Sequence, residues 1–120
     1  MTVDLTKIKA DVKHEIETYP VPPPRHPDLV GSALPASWFQ EGLAEMRDAL
    51  VEPYIADALW FEGRTNERVS RPVAVVAEDA EGHVVALDFE GDEFELLRRV
   101  DGSLFSMNVR GDAVGCFLAR

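Results

Sequence analysis

The chain has 120 residues, of which 46% are hydrophobic and 28% charged, the size and composition of one small globular domain. Its 22 acidic and 12 basic side chains give a formal net charge of −10. Nucleic acids and anionic membrane surfaces attract Lys and Arg, so this charge argues against both as partners.

The cysteine content and the first residues bear on the cellular compartment. Cys116 is the one cysteine, so no intramolecular disulfide can form, which fits a reducing environment. The first residues carry charges where a secretion signal has an apolar stretch, and no segment approaches the ~20 apolar residues of a membrane span. We expect an intact, cytoplasmic protein, and the arginine-rich, lysine-poor composition is typical of a bacterial one.

Two helices are predicted in the first half of the chain. Apolar residues at steps of three and four predict a helix over residues 1–19, with Asp4 among its possible caps. Pro20 ends it, and the prolines that follow predict an extended connector over residues 20–35. A second apolar stripe predicts a helix over residues 36–51 that starts at the Ser37 capping box.

The remaining residues, 54–120, predict an antiparallel sheet. Residues 52–61 fit a helical turn or a strand, and the aromatic residues that end the segment favour a strand. Glycines then recur about every ten residues between short alternating runs, as in consecutive hairpins. The predicted strands cover residues 72–78, 83–89, 93–100, 103–109 and 113–119.

These elements predict a single domain of the α+β class. We expect the two N-terminal helices to pack on one face of a five- to six-stranded antiparallel meander, either flat or curled around them. Alternation along each strand predicts one buried face and one face in water.

An arginine-rich loop is the first candidate site. Arg64, Arg68 and Arg71 follow Trp60 in a protein that has few cations. Guanidinium groups bind carboxylates and phosphates through paired hydrogen bonds, so these four residues are candidates for binding a small anion or ligand. The alternative is that the arginines pair with neighbouring glutamates.

Acidic residues cluster in the run from Asp88 to Glu95. Clustered carboxylates suit a hard cation, but the spacing does not match a calcium loop. The simpler interpretation is the solvated face of a hairpin. The three histidines are scattered and Cys116 lies in an apolar run, so we predict no metal site, no cofactor and no catalytic residue, with Cys116 in the core.

Aromatic residues suggest an interaction surface. Trp38, Phe39, Tyr54 and Trp60 are more large side chains than one small core needs, and aromatic residues are favoured interface anchors. We therefore expect a non-catalytic interaction module that self-associates or has another protein as partner.

Two alternatives remain open. One is a small-ligand binder or enzyme with a pocket between sheet and helices, lined by Trp38, Met46, Trp60, Phe105 and Met107. The other is an acidic partner that uses the Asp88 to Glu95 run to bind a basic protein.

Overall fold

The fold is known from a computed structural model that describes residues 3–21, 35–61 and 68–120. It is a mixed α+β structure with three helices and a mostly antiparallel sheet of five strands. In chain order the elements are α1 (Leu5–Thr18), α2 (Ala36–Ala49), β1 (Leu50–Phe61), β2 (Arg68–Glu78), β3 (His83–Asp88), β4 (Glu93–Val100), β5 (Ser103–Gly111) and α3 (Ala113–Leu118). Most of the predicted connector over residues 20–35 lies outside the described residues.

The two long helices begin differently. The Asp4 side chain accepts a hydrogen bond of 3.0 Å from the Lys7 amide and so caps α1, as predicted. The capping box predicted at Ser37 is wrong. The helix α2 begins at Ala36 with Pro35 as its N-cap, no side chain caps it, and Ser37 lies within the first turn.

The sheet closes into a five-stranded barrel, whereas we expected an antiparallel meander that could curl around the helices. Each strand pairs antiparallel with the next, and closure adds a short parallel pairing of β1 with β5 at Ala58↔Leu104 and Leu59↔Phe105. In a closed meander with an odd number of strands, the first and last strands must run parallel. Register shifts between Val75 and Ala77 and between Leu96 and Leu97 add the local bending that closure needs.

Both faces of the sheet are buried over much of its area, which corrects the prediction of one buried and one wet face. The barrel interior is filled by apolar residues from every strand: Ala58, Trp60, Val73, Val75, Val84, Ala86, Leu97 and Leu104. A second cluster joins the outer side of the barrel to the helices. It contains Val12 and Ile16 of α1, Leu43 and Met46 of α2, and Val85 and Leu96 of the sheet.

Residues 113–119, predicted as a strand, form the helix α3 followed by a turn. Asp112 caps it by accepting a 2.6 Å hydrogen bond from the Gly115 amide. The Glu15 side chain, nearly one hundred residues earlier, accepts hydrogen bonds from the Ala113 and Val114 amides at 3.2 and 2.6 Å. The buried positions 113, 114, 116 and 117 follow helical spacing, a signal that the alternation of Val114, Cys116 and Leu118 concealed.

A two-residue turn, Asp101 and Gly102, joins β4 to β5. Both residues have positive φ, 50° and 82°, as this tight turn requires. Within the described residues, no helix has both the length and the apolar character needed to cross a membrane.

Candidate functional site

A polar cluster lies at one end of the barrel. The first residues of β2 and β4 and the last residues of β1, β3 and β5 lie at this end. We call the group formed there the barrel-end cluster: Trp60, Arg71, Asp88, Glu95, Ser106 and Arg110.

Two carboxylates of this cluster are fully buried. Asp88 and Glu95 have no exposed surface. The guanidinium groups of Arg71 and Arg110 approach Asp88 Oδ2 at 3.3 and 3.4 Å, and Arg110 also lies 3.6 Å from Glu95 Oε2. Two charged groups taken out of water in this way depend on their ion pairs, because an unpaired buried charge is strongly destabilising.

Glu95 is also held by neutral donors. The Trp60 indole donates a 2.6 Å hydrogen bond to Glu95 Oε1, and the Ser106 hydroxyl donates to the same oxygen. Among the described residues, Glu95 Oε2 and Arg71 Nε are buried without a hydrogen-bond partner. The cluster is therefore held by ion pairs and by Trp60 together.

The predicted anion site falls partly within this cluster. Arg71 stacks 4.3 Å above the Trp60 ring, so the structure brings these two residues together. Arg64 and the side chain of Arg68 lie outside the described residues. Arg71 and Arg110 also pair with Glu90 and Glu93, so two guanidinium groups face four carboxylates. This balance of −2 disfavours an anionic ligand.

The acidic run from Asp88 to Glu95 is not simply a solvated hairpin face. Glu90 and Asp92 are exposed, but Asp88 and Glu95 point into the barrel. The prediction failed for these two residues because their partners, Arg71 and Arg110, are distant in sequence. The run therefore offers fewer free carboxylates to a basic partner than its composition indicates.

A second candidate site lies on the other side of the molecule, between α2 and the turn that joins β2 to β3. It is a groove of about 410 Å³. We call it the α2 groove. Its lining includes five carboxylates and one guanidinium group, from Glu45, Asp48, Glu78, Asp79, Glu81 and Arg120.

Asp79 lies on one wall of the α2 groove and is held by several hydrogen bonds. Its Oδ1 accepts hydrogen bonds from the Glu81 and His83 amides at 2.9 and 2.8 Å, and its Oδ2 contacts His83 Nδ1 at 2.9 Å and Arg120 at 3.0 Å. Burial acts to raise the pKa of Asp79, but the hydrogen bonds from His83, Glu81 and Arg120 outweigh it and leave the pKa below its usual value. Asp79 is therefore a fixed negative charge.

Arg120 spans the α2 groove. It pairs with Asp79 on one wall and with Glu45 of α2 on the other, and its guanidinium carbon lies 3.9 Å above the Phe117 ring. The structure thus holds a guanidinium between two carboxylates and an aromatic face. Sequence reasoning missed Arg120, Glu45 and Phe117, because no local pattern links them. The turn that begins at Asp79 does leave a local pattern in the sequence, since an acidic residue three positions before a glycine is typical of a turn.

A metal ion is the other ligand to consider at this turn. Oxygen or nitrogen atoms of Asp79, Glu81 and His83 lie within 4.8 Å of one another. However, Asp79 Oδ2 already contacts both His83 and Arg120, so a cation bound there would have to displace Arg120. The hydrogen bonds of Asp79 with Glu81, His83 and Arg120 are enough to explain why the three side chains of the turn lie close together.

The predicted interface residues are dispersed. Trp38 and Phe39 make an edge-to-face contact at 5.0 Å at the start of α2, and Trp38, 37% exposed, lines a hollow of about 220 Å³ that adjoins the α2 groove. Trp60 is buried inside the barrel and has little surface to offer a partner.

Tyr54 lies towards the end of the barrel that is opposite to the barrel-end cluster. Its hydroxyl donates to Glu78 at 3.0 Å and accepts from Arg99 at 2.9 Å. Partial burial, followed by the hydrogen bond to Glu78, raises the pKa of Tyr54.

Two further expectations concern buried residues. Cys116 is buried, as predicted, although on α3 rather than on a strand, and burial followed by nearby acids raises the pKa of its thiol to about 12. The residues expected to line one ligand pocket are separated. Met46 belongs to the helix-facing cluster, Trp60 to the barrel interior, and Trp38 to the hollow beside the α2 groove.

Comparison of the chain with family models, curated proteins and solved structures finds no match.

Proposed function

We propose that the protein is a non-catalytic interaction module that binds a basic segment of another protein in the α2 groove. The observation that supports this most is Arg120, whose guanidinium the groove holds with two carboxylates and an aromatic ring. This is the chemistry by which proteins recognise arginine.

Charge favours such a partner at long range and at contact. The net charge of −10 attracts cationic segments and raises the rate of encounter. Within the α2 groove, Asp48 and Glu81 are exposed carboxylates at the rim, available to side chains that follow the first arginine.

Two aromatic side chains supply the apolar part of the contact. Phe117 lines the α2 groove but is buried beneath Arg120, and the partly exposed Trp38 lines the adjoining hollow. Interfaces typically combine such aromatic anchors with a polar rim. Trp38 thus remains a proposed interface residue. The proposed acidic contact surface is the α2 groove and not the run from Asp88 to Glu95.

Calorimetric titration with an arginine–glycine repeat peptide tests this function. The double variant Asp48→Asn, Glu81→Gln should bind the peptide about tenfold more weakly, because each lost contact charge contributes up to about 1 kcal/mol. A lysine–glycine peptide should bind more weakly than the arginine peptide, since ammonium stacks poorly on Phe117.

The matched control is Asp57→Asn with Glu17→Gln, which removes the same charge from exposed positions outside the α2 groove. It should change the affinity less than about twofold. Equal weakening by both double variants would mean general charge attraction, and absence of binding at low salt would overturn the proposal.

Self-association is a second candidate, favoured by exposed apolar side chains on β1, β4 and β5. Ile55, Val100 and Met107 are 48%, 44% and 39% exposed. Among the described residues, none of the three belongs to the cluster that faces the helices. Sedimentation equilibrium of the Ile55→Ser, Met107→Ser variant is the test. The variant should be monomeric where the parent is a dimer, and a monomeric parent at micromolar concentration would contradict self-association.

A further inference from the structure

We propose that Arg120 is a built-in competitor that occupies the arginine subsite of the α2 groove and lowers the affinity for a partner until it is displaced. This inference rests on the proposed function and names how that same site is regulated.

The geometry places Arg120 where a partner's arginine would bind. Its two terminal nitrogens engage Asp79 Oδ2 at 3.0 Å and Glu45, on opposite walls of the groove, and its side chain is 20% exposed. The Phe117 ring is covered by the same guanidinium at 3.9 Å. A second guanidinium cannot stack on that face of Phe117 while Arg120 is there.

Asp79 can hold one guanidinium at a time. Asp79 Oδ1 is committed to the Glu81 and His83 amides, so Oδ2 is the oxygen left for a cation, and His83 Nδ1 already contacts it. An incoming arginine must therefore take the place of Arg120 and cannot bind beside it.

The main chain permits this exchange. The amides of Ala119 and Arg120 donate to carbonyls of α3, at 3.1 Å to Gly115 and 3.3 Å to Phe117, so the backbone is held while the side chain rotates away. Ion pairs at partly exposed sites are individually weak, so displacement does not require unfolding of α3.

Competition of this kind has a measurable effect. The apparent dissociation constant equals the intrinsic one divided by the fraction of molecules in which the subsite is open. If Arg120 occupies the subsite in most molecules, its removal should tighten peptide binding by about fivefold to tenfold.

The test is calorimetric titration of the full chain with the arginine–glycine repeat peptide at physiological salt. Arg120→Ala should bind about fivefold to tenfold more tightly than the parent. Arg98→Ala removes the same charge from an exposed position on β4, outside the groove, and should change affinity less than about twofold. Arg120→Gln repeats the test if Arg120→Ala melts early, and Arg120→Lys should give an intermediate affinity.

The outcomes separate the inference from the proposed function. If the parent binds and Arg120→Ala binds equally or more weakly, Arg120 is not a competitor and the proposed function stands. If Arg120→Ala and Arg98→Ala gain affinity equally, general charge accounts for the gain and the inference is overturned. If neither the parent nor any Arg120 variant binds, the proposed function fails and the inference fails with it.

Discussion

At the scale of single residues, Trp60 connects the apolar barrel interior to the barrel-end cluster. It packs among the interior residues, donates a hydrogen bond to Glu95 and lies beneath Arg71. Glu95 is fully buried, so water cannot replace the indole donor if it is removed. The carboxylate would then lack a hydrogen bond that offsets its burial, which destabilises the fold.

We expect Trp60→Phe to lower the free energy of unfolding by about 1–3 kcal/mol, the cost of leaving a buried acceptor short of a donor. Urea denaturation followed by circular dichroism measures it. The matched control is Trp38→Phe on the exposed start of α2, which should cost no more than about 0.5 kcal/mol. Equal small costs for both substitutions would show that the hydrogen bond to Glu95 contributes little.

At the scale of elements, Gly42 sits in the interior of α2, where glycine normally costs about 1 kcal/mol relative to alanine. Its place is explained by the close approach of α3. A Cβ atom at position 42 would lie 2.3 Å from a methyl group of Leu118. The glycine therefore lets the two helices pack closely.

We expect Gly42→Ala to leave stability unchanged or lower it, because displacement of the Leu118 side chain offsets the gain in helix propensity. In the Leu118→Ala background the same substitution should stabilise by about 1 kcal/mol. Thermal unfolding of the four proteins in this cycle gives the coupling. A full gain from Gly42→Ala in the parent would contradict the close packing of α2 and α3.

The joint between α1 and α3 predicts a dependence of stability on pH. Burial raises the pKa of Glu15 from 4.5, in spite of the hydrogen bonds from the Val114 and Ala113 amides, and Asp112 adds to the increase. The folded state then holds this proton more tightly than the unfolded state. This contribution to stability is present below pH 4.5 and is lost as the pH rises through the raised pKa.

Glu15→Gln removes this titration and keeps one acceptor for the α3 amides. The free energy of unfolding of the parent, relative to that of Glu15→Gln, should therefore fall as the pH rises from 4 towards 7. Denaturant titrations at several pH values measure the difference. A parent that gains stability relative to the variant over this range would show that the pKa of Glu15 is lowered by its hydrogen bonds instead.

At the scale of the whole molecule, most local elements were predictable, with α3 as the exception, and the closure of the barrel was not. Glycine spacing and alternation indicated β3, β4 and β5 to within two residues, because hairpins depend on neighbours in sequence. The pairing of Leu59 with Phe105 joins residues 46 positions apart and leaves no local pattern. Without it, alternation alone predicted a meander with one wet face and did not predict closure.

The same limit applies to the candidate sites. Trp60 and Arg71 were recognisable as candidates by residue type, but their neighbours Glu95 and Arg110 meet them only when the barrel closes. The α2 groove joins residues of α2, a hairpin turn and the segment after α3. A charged residue such as Arg120 carries no sign in sequence of which acids it will contact.

The most direct measurement of the central claim is amide chemical-shift mapping of the ¹⁵N-labelled protein during titration with the arginine–glycine repeat peptide. Binding in the α2 groove should shift the amides of α2, of residues 79–83 and of residues 117–120, and added salt should reverse the shifts. Shifts confined to residues 88–95, or no shifts at low salt, would contradict it.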